Sequence, residues 1–354
     1  MFLKNLSLQN FRNYSNLSLE FDKRPTVLLG NNAVGKSNLL ESIYFLSTTK
    51  SARAEIDSEL IKGGEEFARV EAKLIDNSQL TMENSTQLEI TLQNSDGFSK
   101  RVEVNGVGRR VVDFIGNLPA VIFSPADINM ITGSPSLRRW HLDLCLSQVD
   151  PTYKKSLTLY EQVLVNRNKI LKRIREGEGG MEELIYWTSE LLKYGTVVTD
   201  GRKAFLESIN IQETPLGKFT FEYLQNILTK ERLEQYSGRE IASASTLIGP
   251  HRDDFKVLMG SRNLAHFGSR GEQRIATLAF KLAQLEYMAL VLGKRPTLLL
   301  DDVFSELDAK HRKQVVEIVS RQQTVLATVE LEHIPKSFLD SARILNVEDG
   351  KITE

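Results

Sequence analysis

The chain has 354 residues, enough for two domains, with 26% charged and 41% hydrophobic residues and a formal net charge of −1; this is ordinary folded composition and excludes disordered and collagen-like classes. With a charge so close to zero, any nucleic-acid partner has to be met by local patches and not by a global field. The single cysteine, Cys145, excludes an internal disulfide and a cysteine-based metal site, and its setting Leu142-Asp143-Leu144-Cys145-Leu146 reads as core packing in a reducing compartment.

From Met1 to about Ile122 the pattern is rich in strands. Met1-Phe2-Leu3-Lys4-Asn5 begins a strand and not a signal peptide, and no unbroken apolar run approaches the roughly 18 residues of a membrane span, so a cytoplasmic protein without a membrane partner is expected. Leu3, Leu6 and Leu8 lead into Asn10-Phe11-Arg12-Asn13-Tyr14, and Leu17-Ser18-Leu19-Glu20-Phe21 alternates with period two. Val27-Leu28-Leu29 is a buried strand that runs into Gly30 and then a helix carrying Leu39-Leu40-Glu41-Ser42-Ile43. Val70 to Ile75, Leu88 to Leu92 and Val102 to Val104 are further half-buried strands. After Phe123-Ser124-Pro125 the apolar spacing becomes helical over 134–148, 152–175 and 181–209, the last two separated by Gly177-Glu178-Gly179-Gly180. A strand returns at Phe219-Thr220-Phe221-Glu222-Tyr223. From about 245 the order is strand, long helix from Arg274 to Leu292, buried strand, helix, strand. That order suits an α/β nucleotide-binding half but lacks its own phosphate loop. Residues 1–122 and 245–354 are therefore expected to form one discontinuous domain, with 123–244 inserted as a mainly helical second domain.

Gly30-Asn31-Asn32-Ala33-Val34-Gly35-Lys36-Ser37 is a P-loop in the right context, between a buried strand and a helix. Its glycines let successive N–H groups point at β- and γ-phosphates, Lys36 adds a charge, and Ser37 offers a hydroxyl to Mg²⁺. At the far end of the chain, Leu298-Leu299-Leu300-Asp301-Asp302 is an apolar strand ending in two carboxylates. Asp301 is the second Mg²⁺ candidate and Asp302 the candidate for polarising water. Ser269-Arg270-Gly271-Glu272-Gln273 precedes the long helix as a further anion-binding turn, and Asp308 reads as the N-cap of a helix beginning at Ala309.

P-loop, Ser-x-Gly turn, aspartate strand and Ser305-Glu306-Leu307-Asp308, in that order, resemble the ATP-binding-cassette (ABC) ATPases. The resemblance implies that two subunits face each other head to tail, the turn with Ser269, Gly271 and Gln273, together with Asp308, completing the ATP site of the other. A head split by an insert looks like the structural-maintenance-of-chromosomes (SMC) group. Within it, Asn10-Phe11-Arg12-Asn13-Tyr14, the stretch from Gly30-Asn31-Asn32 through Asn38-Leu39-Leu40-Glu41 to Ser51 and Arg53, and Gly249-Pro250-His251-Arg252-Asp253-Asp254 resemble the RecF family of bacterial recombination mediators. So do Phe123-Ser124-Pro125 and Arg138-Arg139-Trp140-His141-Leu142-Asp143, and the similarity covers essentially the whole chain.

That resemblance implies an α/β, ABC/SMC-type P-loop ATPase head with a mixed sheet, and a weak, DNA-linked ATPase. It implies an ATP-dependent homodimer that clamps duplex DNA near single-strand gaps, with RecR and RecO as partners. Departures from the cassette pattern lie at three positions. Asp302 stands where transporter ATPases carry glutamate, one methylene longer, so slow hydrolysis is expected. Asp127 replaces a glutamine at the lobe junction, and Thr328 replaces a histidine after Val325-Leu326-Ala327, offering one hydroxyl to a γ-phosphate. A transporter subunit would need that glutamate and glutamine, and a chromosome scaffold would need long coiled-coil arms, which the chain lacks.

Arg53 reads either as a γ-phosphate or DNA contact or as a surface arginine. His251 and Arg252 read either as functional or as part of a turn capped by Asp253. For DNA, the basic segment with Lys154, Lys155, Arg167, Lys169, Lys172 and Arg173 is the leading candidate, followed by Arg138 and Arg139.

Overall fold

Alternating apolar positions build the first sheet. In β1 (Phe2–Phe11) Leu6 and Leu8 are buried, and in β4 (Phe67–Ile75) Ala68, Val70, Ala72 and Leu74 repeat the pattern. With β2 (Tyr14–Glu20), β5 (Ser85–Gln93), β6 (Ser99–Val104) and β7 (Val107–Arg109) they form an antiparallel sheet in the order β2-β1-β4-β5-β6-β7. The computed structural model describes residues 2–354 except 76–84, 96 and 213; Met1, with which the expected first strand starts, lies outside the described residues.

The second sheet has the order β15-β14-β3-β13-β12-β8. Its parallel members are β3 (Thr26–Leu29), β8 (Ala120–Phe123), β12 (Thr297–Asp301), β13 (Thr324–Thr328) and β14 (Arg343–Glu348), with β15 (Lys351–Thr353) antiparallel at one edge. Val27-Leu28, Leu298-Leu299-Leu300 and Val325-Leu326-Ala327 are essentially inaccessible, the continuous apolar signature of strands covered on both faces. β8 (Ala120–Phe123) pairs with β12 (Thr297–Asp301), so the N-terminal and C-terminal parts of the chain share one mixed sheet. Because these strands are parallel, the segments that follow β3, β12, β13 and β8 gather at one edge. Helices α1 (Lys36–Thr48), α2 (Val111–Phe114), α10 (Ala309–Val319) and α11 (Lys336–Leu339) complete this unit, which spans Met1–Asp127 and Phe280–Glu354.

The other unit, Ile128–Ala279, holds α3 (Asn129–Thr132), α4 (Pro135–Val149), α5 (Pro151–Glu176), α6 (Glu183–Ile211), α7 (Lys230–Ser243) and α8 (Leu264–Phe267). A three-stranded sheet of β9 (Thr220–Leu224), β10 (Asp254–Met259) and β11 (Arg262–Asn263) lies with them. The long helices start where the sequence signals it. Ser134 and Asp150 cap α4 and α5, each followed by proline at the first helical position, and Gly177 ends α5 at φ +79°.

Two expectations change. Residues 245–279, grouped by sequence with the ATPase domain, fall in the second unit, because β10 pairs along β9 from Asp254↔Leu224 to Leu258↔Thr220. Helix α9 (Arg270–Leu292) begins four residues earlier than expected. By length and composition alone α9 could cross a membrane, with mean hydropathy 1.5, yet 61% of that window is buried inside the protein. Buried Thr277, Lys281 and Gln284 interrupt its apolar residues, which is why no unbroken run shows in the sequence.

Candidate nucleotide-binding site

The loop between β3 and α1 closes on itself through Lys36. Its ammonium donates to the carbonyls of Gly30 (2.8 Å) and Asn31 (2.7 Å), and burial pulls its pKa below the usual lysine range. Ser37, one residue further into α1, donates its hydroxyl to Asp301 Oδ1 at 2.8 Å, joining two motifs 264 positions apart. Burial raises the Asp301 carboxyl, opposed by that hydrogen bond and by the charge of Arg53. β3 and β12 are separated only by β13, so their carboxyl ends deliver the loop and the carboxylate to one cleft. Lys36, Ser37, Arg53, Asp301 and Asp302 face this cleft of ≈ 430 Å³, which Pro125 and Val329 help to wall.

Asp302 takes a left-handed backbone at φ +50°, its N–H donating to Ala327 O (2.9 Å) and its carbonyl accepting from the Ser305 hydroxyl (2.7 Å). Such geometry in a non-glycine residue is uncommon and tolerated best by Asn and Asp. Gly30 and Gly35 are required by space: a Cβ would sit 2.4 Å from Val347 O at the first and 2.5 Å from Asn13 Nδ2 at the second, where φ is +115°.

Sequence reasoning gave Asn10 to Tyr14 no role, and the structure supplies one. Tyr14, fully buried, donates to Gly35 O (3.0 Å), and Asn13 donates to Val34 O (3.0 Å) from the turn between β1 and β2. Both hold P-loop carbonyls from behind. Arg12 makes a two-pronged pair with buried Glu41 of α1 (2.8 and 2.9 Å), fixing the same turn to the helix. In the sequence this segment carried a resemblance to the RecF family, while its residues alone showed only a polar cluster just before an alternating strand.

Other expected site residues are engaged elsewhere. Thr328 is buried and spends its hydroxyl on Glu330 O (2.9 Å), a local turn that leaves no free donor toward the cleft. Asp127 is buried, accepting from Ser124 N–H (2.7 Å) and pairing with Lys281 (3.3 Å), so its carboxylate is committed within the fold. In the second unit, Ser269 and Gly271 are exposed. Ser269 and Glu272 form a reciprocal capping box, Ser269 N–H to Glu272 Oε2 at 2.8 Å and Glu272 N–H to Ser269 Oγ at 3.2 Å, which starts α9 at Arg270. Gln273 is buried and donates to Leu264 O (2.8 Å), correcting its assignment as a ligand contact. Asp308 caps α10 as expected, accepting from His311 N–H at 2.9 Å, and stays exposed.

The basic candidates divide sharply. Arg167 is 3% exposed and bound to Glu240 (2.7 Å) and Thr246 (2.8 Å), a core ion pair and no surface contact. Arg138 is locked onto Asp254 (2.5 and 2.9 Å) and Gly133 O, and Arg139 donates to Asp253 O (2.7 Å). Lys155, Lys169 and Lys172 are exposed on α5, Lys154 is half-buried, and Arg173 is exposed but paired with Glu183 at 2.7 Å. The Gly249–Asp254 motif is structural. Asp253 is inaccessible and accepts from Tyr223, Asn226 N–H and Arg202, which also grips Asp143 with two hydrogen bonds of 2.9 Å. His251 lies between the Tyr160 hydroxyl (2.7 Å) and Thr246 O (3.0 Å), and burial lowers its pKa to about 4, so the neutral ring donates from Nε2 and accepts at Nδ1. Arg252 remains exposed.

A strand-loop-helix cradle, its serine bonded to the aspartate of a neighbouring strand, within a head assembled from both ends of the chain, defines a P-loop ATPase head of the ABC/SMC type. The model of the RecF/RecN/SMC N terminal domain matches residues 2–348. Among curated relatives, the DNA replication and repair protein RecF of Herpetosiphon aurantiacus is 36% identical over 386 residues, and that of Roseiflexus castenholzii 35% over 391, each alignment covering 99% of both chains. A solved structure described as the recombination mediator protein RecF-ATP in the RecFOR pathway aligns with TM-score 0.89 at 31% identity over 99% of this chain and 97% of that one. An SMC head bound to the C-winged helix domain of ScpA aligns at 0.56 with 18% identity, covering 100% and 97%, a likeness of fold alone. The chain belongs to the RecF family within the RecF/RecN/SMC group.

Proposed function

We propose that this chain is an ATP-dependent DNA-binding protein of recombinational repair and replication-fork maintenance, acting in the cytoplasm as a nucleotide-driven switch. The observation that carries the reading is the Ser37–Asp301 hydrogen bond beside Lys36, two distant motifs meeting in one cleft of the size and polarity a triphosphate needs. Relatives described as RecF-ATP support ATP as the nucleotide.

The residues fit Mg²⁺ by their chemistry: a hydroxyl and a carboxylate are hard oxygen donors, already adjacent at 2.8 Å. When bound, the ion would neutralise phosphate charge; Ser37 and Asp301 would hold it. Lys36, now satisfied by two loop carbonyls, supplies the fixed positive charge, and the loop N–H groups at the start of α1 supply the dipole. Asp302 is the group to accept a proton from attacking water. Its short side chain suits slow turnover, so hydrolysis would reset the switch rather than drive rapid work.

In this reading residues 1–127 and 280–354 are the ATPase head. The exposed Ser269–Gly271 turn and Asp308 would meet the nucleotide of a second copy, so that ATP closes a head-to-tail homodimer on duplex DNA near gaps. RecR and RecO would be the partners in loading recombinase. The test is DNA binding to duplex, single-stranded and gapped substrates at fixed salt, with and without ATP, alongside sedimentation. ATP should raise duplex and gapped binding and convert monomer to dimer; equal binding with and without ATP, and a mass that ATP does not change, would sink the proposal.

A further inference from the structure

Six polar side chains around the start of α1 close into a ring. Arg12 pairs with Glu41 (2.8 and 2.9 Å); the Ser51 hydroxyl donates to the same carboxylate (2.5 Å) and accepts from Arg53 N–H (2.8 Å). Arg53 Nη1 donates to Asn38 Oδ1 (3.2 Å), and Asn38 Nδ2 donates to Asn13 Oδ1 (2.8 Å), which returns the ring to the residue beside Arg12. Asn13 also holds the P-loop carbonyl of Val34. Glu41 and Ser51 are buried, whereas Arg53 is exposed at the cleft. The bond to Asn38 is the only side-chain hydrogen bond of Arg53 among the described residues, so most of its guanidinium donors stay free for a ligand.

We infer that Asn38 is a positioning residue of the nucleotide cleft: with Asn13 it ties the phosphate loop to Arg53 and fixes that guanidinium at the carboxylate end of the cleft, where a third phosphate would distinguish a triphosphate from a diphosphate. A long, flexible arginine otherwise loses rotamer freedom on meeting a ligand; a partner that has already ordered it removes part of that cost. The amide of Asn38 is suited to the task because it accepts from Arg53 on one side and donates to Asn13 on the other. Arg12, Glu41 and Ser51 hold the backbone of the same segment, which is why the ring needs a buried acid.

The inference rests on the reading that this cleft binds ATP, and the measurement separates the two. Fluorescent ATP and ADP are titrated against the full chain. Wild-type protein that binds neither refutes the ATP reading itself. If it binds both, Asn38→Leu should weaken ATP by about tenfold while ADP changes by less than about threefold, the size expected for losing a hydrogen bond that orients a charged group. Asn38→Gln keeps both an acceptor for Arg53 and a donor for Asn13 and should retain the parental ATP-to-ADP ratio. Arg53→Ala should mimic Asn38→Leu, and the double variant should be no worse than Arg53→Ala alone. Equal losses for ATP and ADP in Asn38→Leu, an Asn38→Gln ratio that collapses like that of Asn38→Leu, or fully additive effects in the double variant would each overturn the positioning role.

Discussion

Asp302 carries its carboxylate on a left-handed backbone, so replacing it by asparagine changes the charge without the conformational penalty that alanine would meet. Asp302→Asn should therefore keep ATP affinity and the ATP-induced dimer while lowering hydrolysis by about a hundredfold or more, the usual range for losing a general base; a steady-state phosphate-release assay at the parental rate would remove Asp302 from that role. Lys36→Ala should instead lose nucleotide affinity by at least about tenfold, since a charge held by two carbonyls in the loop has no substitute there. His251 makes a different prediction. Its folded pKa of about 4 lies below the ordinary 6.5, so the unfolded chain binds the extra proton first and stability falls as pH drops from 7 toward 4. Between pH 7 and 5 that amounts to about 2 kcal/mol. Urea melts at the two pH values should show a loss smaller by about that amount in His251→Gln, and equal losses in the two proteins would place the acid sensitivity elsewhere.

At the scale of elements, the Ser269–Glu272 capping box gives one turn two duties. Its hydroxyl accepts from Glu272 N–H in the first turn of α9 and the Glu272 acid accepts from Ser269 N–H just before the helix, while Ser269, Arg270 and Gly271 stay exposed. Ser269→Ala should cost only about 1 kcal/mol through the lost cap. Ser269→Arg should abolish ATP-induced dimerisation while leaving ATP binding intact, and sedimentation that still shows a dimer with Ser269→Arg would exclude the turn from the interface. The same turn shows what a sequence discloses. Strong apolar periodicity, with a glycine turn between the last two, made α4, α5 and α6 legible to within two residues, and Gly30 to Ser37 with Asp301 was legible because each chemical role needs a residue type at a fixed offset. α7 was missed since only Leu233 and Glu240 of its fourteen residues are buried, leaving no apolar stripe to read. The membership of β10 was missed because strand pairing is non-local. Thr328, Gln273 and Arg167 were misjudged for one reason: composition reveals that a side chain can donate, and only the fold reveals that a nearby carbonyl or carboxylate has already taken the donor.

For the molecule as a whole, a net charge of −1 means that duplex affinity has to come from a concentrated patch, and binding there should fall with salt by about 0.9 log unit per contacted phosphate for each tenfold increase. The structure narrows the patch on α5. Arg167 is withdrawn into the core and Arg173 is held by Glu183, whereas Lys155, Lys169 and Lys172 are exposed. Replacing those three lysines by glutamine should weaken duplex binding and flatten the salt slope by about two to three contacts, with ATP-driven dimerisation unchanged. Arg167→Gln should act in the opposite way, lowering thermal stability by leaving Glu240 buried without its partner, and leaving the salt slope of the folded protein alone. Filter binding across a salt series decides between surfaces: if the triple variant keeps both the parental affinity and the parental slope, α5 does not contact DNA, and the basic residues of the ATPase head become the surface to vary next.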